Sequence, residues 1–236
     1  MKKIKRENLK ALFDLISESQ RLYIPLKKAG QTNFGIYTSD SKVDLDSLKT
    51  VKSAKEAFFP QSETLYTVKT EDGKYRVSQE ELQKEEFVLF GVKGCDMKGI
   101  EVLDKVFLSE PIDTFYKARR EKGTIVTLAC GEPEESCFCT VFGVDPSEPK
   151  GDVTAWLCGK YLYWKPNTEK GEKLTAICAD LLEDTDDSAV EEEKKNFELN
   201  DEMLSEVSGG AGNGTKPSIG DNVRIRCGNR DCSKFG

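Results

Sequence analysis

Residues 87–107 read FVLFGVKGCDMKGIEVLDKVF, and residues 124–139 read TIVTLACGEPEESCFC. In both, a nearly unbroken apolar run (FVLFGV, TIVTLA) is followed closely by a cysteine, Cys95 in the first and Cys130 in the second. Apolar runs of this length without polar alternation predict strands covered on both faces, the usual setting of a parallel sheet. After the first run, Asp96 is placed to cap a helix that turns Met97, Ile100, Leu103 and Phe107 toward the core. Residues 113–121, DTFYKARRE, predict a second helix leading into the second run. Strand, helix and strand in that order predict an α/β fold, with α+β as the alternative, built on a central mixed sheet with flanking helices.

Outward from this centre, Leu9, Leu12, Phe13, Leu15 and Ile16 fall at helical spacing, so residues 7–19 predict an amphipathic helix. Residues 22–26 and 34–38 are short strand candidates, with Pro25 marking an edge or an exit. Ser53 is placed to cap a short helical segment that Pro60 ends. Asp72-Gly73 between alternating runs predicts a hairpin. Residues 152–158 and 160–165, joined at Gly159, predict another pair of strands, and 174–182 a helix burying Leu174, Ile177 and Leu181. The chain then turns acidic. It divides by composition into an α/β domain at 1–183, a charged helix at 184–207, and a Gly-rich linker with a short flexible Cys-containing tail at 208–236.

Three cysteines, Cys130, Cys137 and Cys139, lie within ten residues, and Cys95 ends the neighbouring strand candidate. Adjacent strands that finish together would bring all four thiols to one sheet edge. The C-x₆-C-x-C group occupies a polar loop, where burying a cysteine gains little, so packing alone does not account for it. The chain has no histidine in its 236 residues, which excludes Ser-His-Asp and Cys-His catalysis and any imidazole-ligated metal. A metal would have to be held by sulfur, carboxylate or backbone. The thiol set suggests an iron–sulfur cluster, a [4Fe–4S] centre taking one cysteinate per iron. A zinc tetrathiolate serving a structural or assembly module, and thiol–disulfide chemistry at Cys137 and Cys139, are the alternatives. Phe138 and Phe142 would shield such a site from water, and Glu132, Glu134 and Glu135 would disfavour adding an electron to it. Cys158 and Cys178 read as core residues, while Cys227 and Cys232 are too few to complete a site alone.

A net charge of −7 argues against a general nucleic-acid binder. With 37% apolar and 33% charged residues the core is modest and much of the chain is solvated. The basic start MKKIKREN is followed by no apolar stretch of signal-peptide length, and no run approaches a membrane span, so a cytoplasmic protein is expected. Cysteines in such a compartment point to metal or redox work rather than to disulfides.

The segments KSAKEAFFPQSETLY, FGVKGCDMKGIEVLDKVF and DTFYKARREKGTIVTLACGEPEESCFC, followed by GVDPSEPKGDV, resemble in order the iron–sulfur beta subunit family of sulfhydrogenases and hydrogenase/sulfur reductases, to which the anaerobic sulfite reductase A subunit is close. The resemblance covers residues 52–153. It implies an electron-transfer subunit that itself does no bond chemistry. Such a subunit would pass electrons between a flavin or ferredoxin partner and a hydrogenase, sulfite-reducing or related catalytic subunit. It also implies that Cys95, Cys130, Cys137 and Cys139 ligate a [4Fe–4S] cluster. Family members usually continue into a two-cluster ferredoxin-like region with C-x₂-C-x₂-C runs. This sequence contains none, so the expectation is that the region is lost or supplied by another subunit.

Overall fold

The computed structural model describes residues 1–132, 134, 136–188 and 190–192. In chain order its elements are β1 (Lys2–Lys5), α1 (Leu9–Ser19), β2 (Arg21–Lys28), β3 (Gln31–Ile36), β4 (Tyr66–Glu71), β5 (Lys74–Gln79), β6 (Phe87–Val92), α2 (Gly94–Phe107), α3 (Thr114–Lys122), β7 (Gly123–Leu128), β8 (Val153–Cys158), β9 (Tyr161–Pro166), α4 (Glu169–Ile177) and β10 (Glu183–Asp184). Eight strands form one mixed sheet in the order β10-β1-β9-β8-β7-β6-β2-β3. Its centre, β2-β6-β7-β8, is parallel, and both flanks are antiparallel. This is the expected α/β architecture.

The two apolar runs lie side by side at the middle of the sheet, and every residue of β6 and β7 is buried. Such strands need cover on both faces, and they have it. On one face α1 supplies Leu9, Leu12, Phe13 and Ile16, and α4 supplies Leu174, against Val88, Phe90, Val126 and Leu128. On the other, Met97 and Ile100 of α2 and Tyr116 of α3 join Ala54 and Phe58 over Phe87, Leu89 and Ile125. Alternate residues of one strand thus enter opposite layers, as the two-residue period of a strand requires. Each fully buried large apolar side chain contributes about 1.5–3 kcal/mol.

Pro25 sits inside β2. The parallel ladder to β6 stops at Tyr23↔Leu89, while the antiparallel ladder to β3 continues through Pro25↔Phe34. A residue with no N–H is tolerated because it lies beyond the parallel pairing on that side. The Asp72-Gly73 hairpin forms as expected, with φ of 52° and 71°, the left-handed pair that favours these residues. Its strands stand apart from the main sheet, and Tyr66, Val68, Tyr75 and Val77 are exposed.

The helix after β6 begins earlier than the sequence suggested. Its N-cap is Lys93, and Asp96 lies in the first turn, where its carboxylate accepts a 2.6 Å hydrogen bond from Ser53. The chain passes straight from strand to helix, so Asp96 complements the helix dipole instead of capping the end. Asp113 does cap α3, accepting from the Tyr116 amide. The segment expected as one helix over 174–182 is split: α4 ends at Ile177, buried Cys178 forms its C-cap, and a 3₁₀ turn follows. Val190, read as part of a charged surface helix, is fully buried against Trp156 and Tyr163. The rest of that helix, the linker, Cys227 and Cys232 lie outside the described residues. Among the described residues, no helix is long and apolar enough to cross a membrane.

Tyr37 ties the sheet edge to α1, its hydroxyl donating to Asp14 at 2.8 Å. Burial, and then the adjacent carboxylate, raises the phenol from 10.0 to about 12. The unfolded chain therefore gives up this proton first, and the stability it contributes is intact below pH 10.0 and lost by about pH 12. Urea unfolding should show wild type losing more stability than Tyr37→Phe between about pH 9 and pH 12, the span that crosses that window. Equal losses would contradict this.

Candidate metal centre

Strands β6 and β7 run parallel and in register from Phe87↔Gly123 to Val92↔Thr127, so they finish together. The ladder shifts at Gly91, whose φ of 88° kinks the strand. A side chain there would press on Pro25, which a Cβ would meet at 3.1 Å. Beyond the strand ends, Cys95 is the second residue of α2 and Cys130 lies two residues past β7. The carboxyl end of a parallel sheet is where α/β folds usually place their chemistry.

The chain then makes an excursion from Cys130 to β8 instead of a helical crossover. The Cys130 amide donates to Pro146 at 2.9 Å, closing the base of the loop. Within it, the carbonyl of Cys139 accepts from the amides of Phe142 (3.1 Å) and Val144 (3.0 Å), and the Cys137 sulfur accepts from the Glu134 amide at 3.3 Å. The first turn of α2 packs on the returning limb: a Cβ on Gly94 would stand 3.0 Å from Val144 and 3.4 Å from Pro149. Loop and helix therefore face each other across the cysteines.

All four expected cysteines come together. Each of the thiols of Cys95, Cys130, Cys137 and Cys139 interacts electrostatically with the other three, and those of Cys95 and Cys139 share a hydrogen bond. Cys95 and Cys137 are exposed, and Cys130 and Cys139 partly so. Burial raises the Cys95 thiol, with Asp96 adding to the effect and backbone amides opposing it. Burial likewise raises Cys130, against the pull of Lys93. Cys139 is pushed up to about 11, by burial first and then by its three thiol neighbours. Thiols held this way keep their protons at neutral pH, and binding a metal group would release them. Among the described residues, no group of three or more His, Cys, Asp or Glu is gathered tightly enough for a single metal ion.

Two lysines at the site went unread in the sequence. Lys93, at the junction of β6 and α2, lies beside Cys130 and Cys95; burial lowers its pKa while those thiols and Asp46 oppose the shift. Its position in Lys-Gly-Cys was the available signal. Lys49 bonds Glu134 and Ser136, pinning the cysteine loop to residues 47–50. Glu134 is therefore offset by a cation and not a bare charge on the loop. Lys49, Lys93, Ser53 and Cys95 also line a cleft of about 270 Å³.

Two expectations need correction or limits. Phe138 and Phe142 pack edge-on, with ring centres 5.6 Å apart, but are 59% and 60% exposed, so they face solvent and do not shield the site. Away from the cysteines, both arginines of α3 are paired: Arg119 with Glu63, and Arg120 with Asp104 at 3.0 Å, where it also lies over the Phe58 ring. Glu135 lies outside the described residues. Cys178 is buried and Cys158 packs partly buried beside Trp156 and Tyr163, as expected of core cysteines.

The four thiols thus lie within interaction range of one another at the carboxyl ends of the central strands of the sheet. The chain is 28% identical over 205 residues to the sulfhydrogenase 2 beta subunit of Pyrococcus furiosus, a match covering 83% of this chain and 55% of that protein. The chain is thus similar to that subunit, and it spans about half of that subunit's length. No protein-family model and no solved structure matches it.

Proposed function

We propose that this chain is an electron-transfer subunit of an oxidoreductase complex and that Cys95, Cys130, Cys137 and Cys139 hold a [4Fe–4S] cluster. The observation that carries the reading is the mutual approach of those four thiols. A cubane cluster takes one thiolate per iron around a core several atoms across, so its ligands stand farther apart than those of a single ion. A zinc tetrathiolate, with Zn–S near 2.3 Å, needs its sulfurs roughly 3.8 Å from one another. The chemistry of the donor set fits the larger group, and when bound that group supplies one-electron redox chemistry.

The chain's own residues do the rest. Cys95 stands in the first turn of α2, whose N-terminal amides and partial positive charge favour an anion. Lys93 stands beside Cys95 and Cys130 and pulls the Cys130 thiol toward its thiolate form. Lys49 holds the cysteine loop in place through Glu134 and Ser136. The relative's name, a beta subunit of a sulfhydrogenase, supports work within a multi-subunit complex. In that complex the chain would sit between a flavin or ferredoxin partner and a hydrogenase, sulfite-reducing or related catalytic subunit.

Anaerobically purified protein tests this. It should be brown, with a broad thiolate-to-iron band at about 400 nm that bleaches with dithionite. A colourless protein carrying one zinc per chain would overturn the reading.

A further inference from the structure

We infer that the loop carrying Cys137 and Cys139 is the docking surface for a redox protein that presents an apolar patch ringed by basic side chains. The inference rests on the electron-transfer reading and names the kind of partner that reading requires. Phe138, Val141 and Phe142 are 59%, 79% and 60% exposed, three large apolar side chains on a single short stretch. Their backbone is fixed by hydrogen bonds: the Val141 amide donates to Phe138 at 3.2 Å and the Phe142 amide to Cys139 at 3.1 Å. The left-handed turn at Gly143, with φ of 63°, ends the stretch. Rigid, solvated aromatic residues are costly on a free surface and are typical of interface centres.

The rim sets the sign of the partner. Between Cys130 and Pro149 the sequence has no lysine or arginine, and of the carboxylates there Glu134 and Glu148 are paired with Lys49 and Lys165 from outside the stretch. Glu132 and Asp145 are exposed. An apolar centre within an acidic rim is complementary to an apolar patch within a basic ring, the arrangement that speeds encounter of transient partners. Phe138 lies between two of the cysteines, so a protein seated there stands next to the site that holds the electron.

Cytochrome c, whose exposed haem edge is ringed by lysines, serves as the probe. In anaerobic stopped flow, the dithionite-reduced full-length chain, freed of excess reductant, gives one electron to one ferric haem. The second-order rate should fall as salt rises, because attraction between opposite charges is screened. Phe138→Ser/Phe142→Ser should lower it on the order of tenfold with iron content and visible spectrum unchanged. Glu132→Lys should lower it several-fold, whereas Glu18→Lys should change it far less. Glu18 lies on α1 just before β2, at the end of the sheet opposite the cysteines. Unchanged rates in the double serine variant overturn the inference, as does a wild-type rate that rises with salt. So does a wild-type dimer that the double variant converts to a monomer, which assigns the patch to a second copy. A wild type without iron overturns the electron-transfer reading itself, which the other outcomes leave standing.

Discussion

Cys95→Ala and Cys139→Ala should each lose most of the iron and the visible band, while Cys178→Ala should keep both. Cys95 and Cys139 come from different segments, the start of α2 and the loop after β7, and their thiols are hydrogen-bonded to each other. Removing either leaves one iron of a cubane without its thiolate, and the sequence has no histidine to replace it. Cys178 is the matched control. It is fully buried in the layer under α1 and α4, and burial alone pushes its thiol up to about 12. Alanine there costs packing, roughly 1 kcal/mol for the lost sulfur, without touching the site. Iron and absorbance at about 400 nm, measured on all three variants purified side by side, decide the matter. Equal iron in the three would show the ligand set to be wrong.

Trp164→Ala should cost about 3–5 kcal/mol, the largest single loss expected in the fold. Trp164 on β9 has no exposed surface, packs 6.2 Å from the Phe90 ring and donates its indole N–H to Thr175 on α4 at 2.8 Å. The residue therefore joins the centre of the sheet to the helix covering it. Net stabilities of about 5–15 kcal/mol leave little after such a loss. Trp164→Phe keeps part of the ring contact, and Thr175 retains its own bond to the Gly171 carbonyl, so that variant should lose clearly less. Urea midpoints for the two variants against wild type measure the difference. An alanine variant within about 1 kcal/mol of wild type would mean that this packing carries little of the stability.

The parts of the fold legible in the sequence are those set by local pattern. Unbroken apolar runs at 87–92 and 124–128 identify strands buried on both faces, and Asp72-Gly73 identifies its hairpin, because each signal lies within a few residues. The meeting of Cys95 with Cys130 was legible for a related reason: parallel neighbours ending together must bring their following residues together. Interactions between distant segments were not legible. Arg119 turns inward because Glu63 waits for it, and Lys49 pairs with Glu134, 85 residues further along the chain. Neither pair has a local signature. Lys93 was overlooked because a lysine beside a strand end usually reads as solvated; only the packing of both cysteines around it gives it a role. Phe138 and Phe142 were expected to turn inward on composition alone, whereas the tight turn through Cys139 and Gly143 holds them out to water.

The most direct test of the four-cysteine centre is anomalous diffraction at the iron edge from anaerobically grown crystals of the full chain. The account predicts one strong iron peak per chain, bounded by the sulfurs of Cys95, Cys130, Cys137 and Cys139. Iron density elsewhere, or bonded to only some of these four, would contradict it.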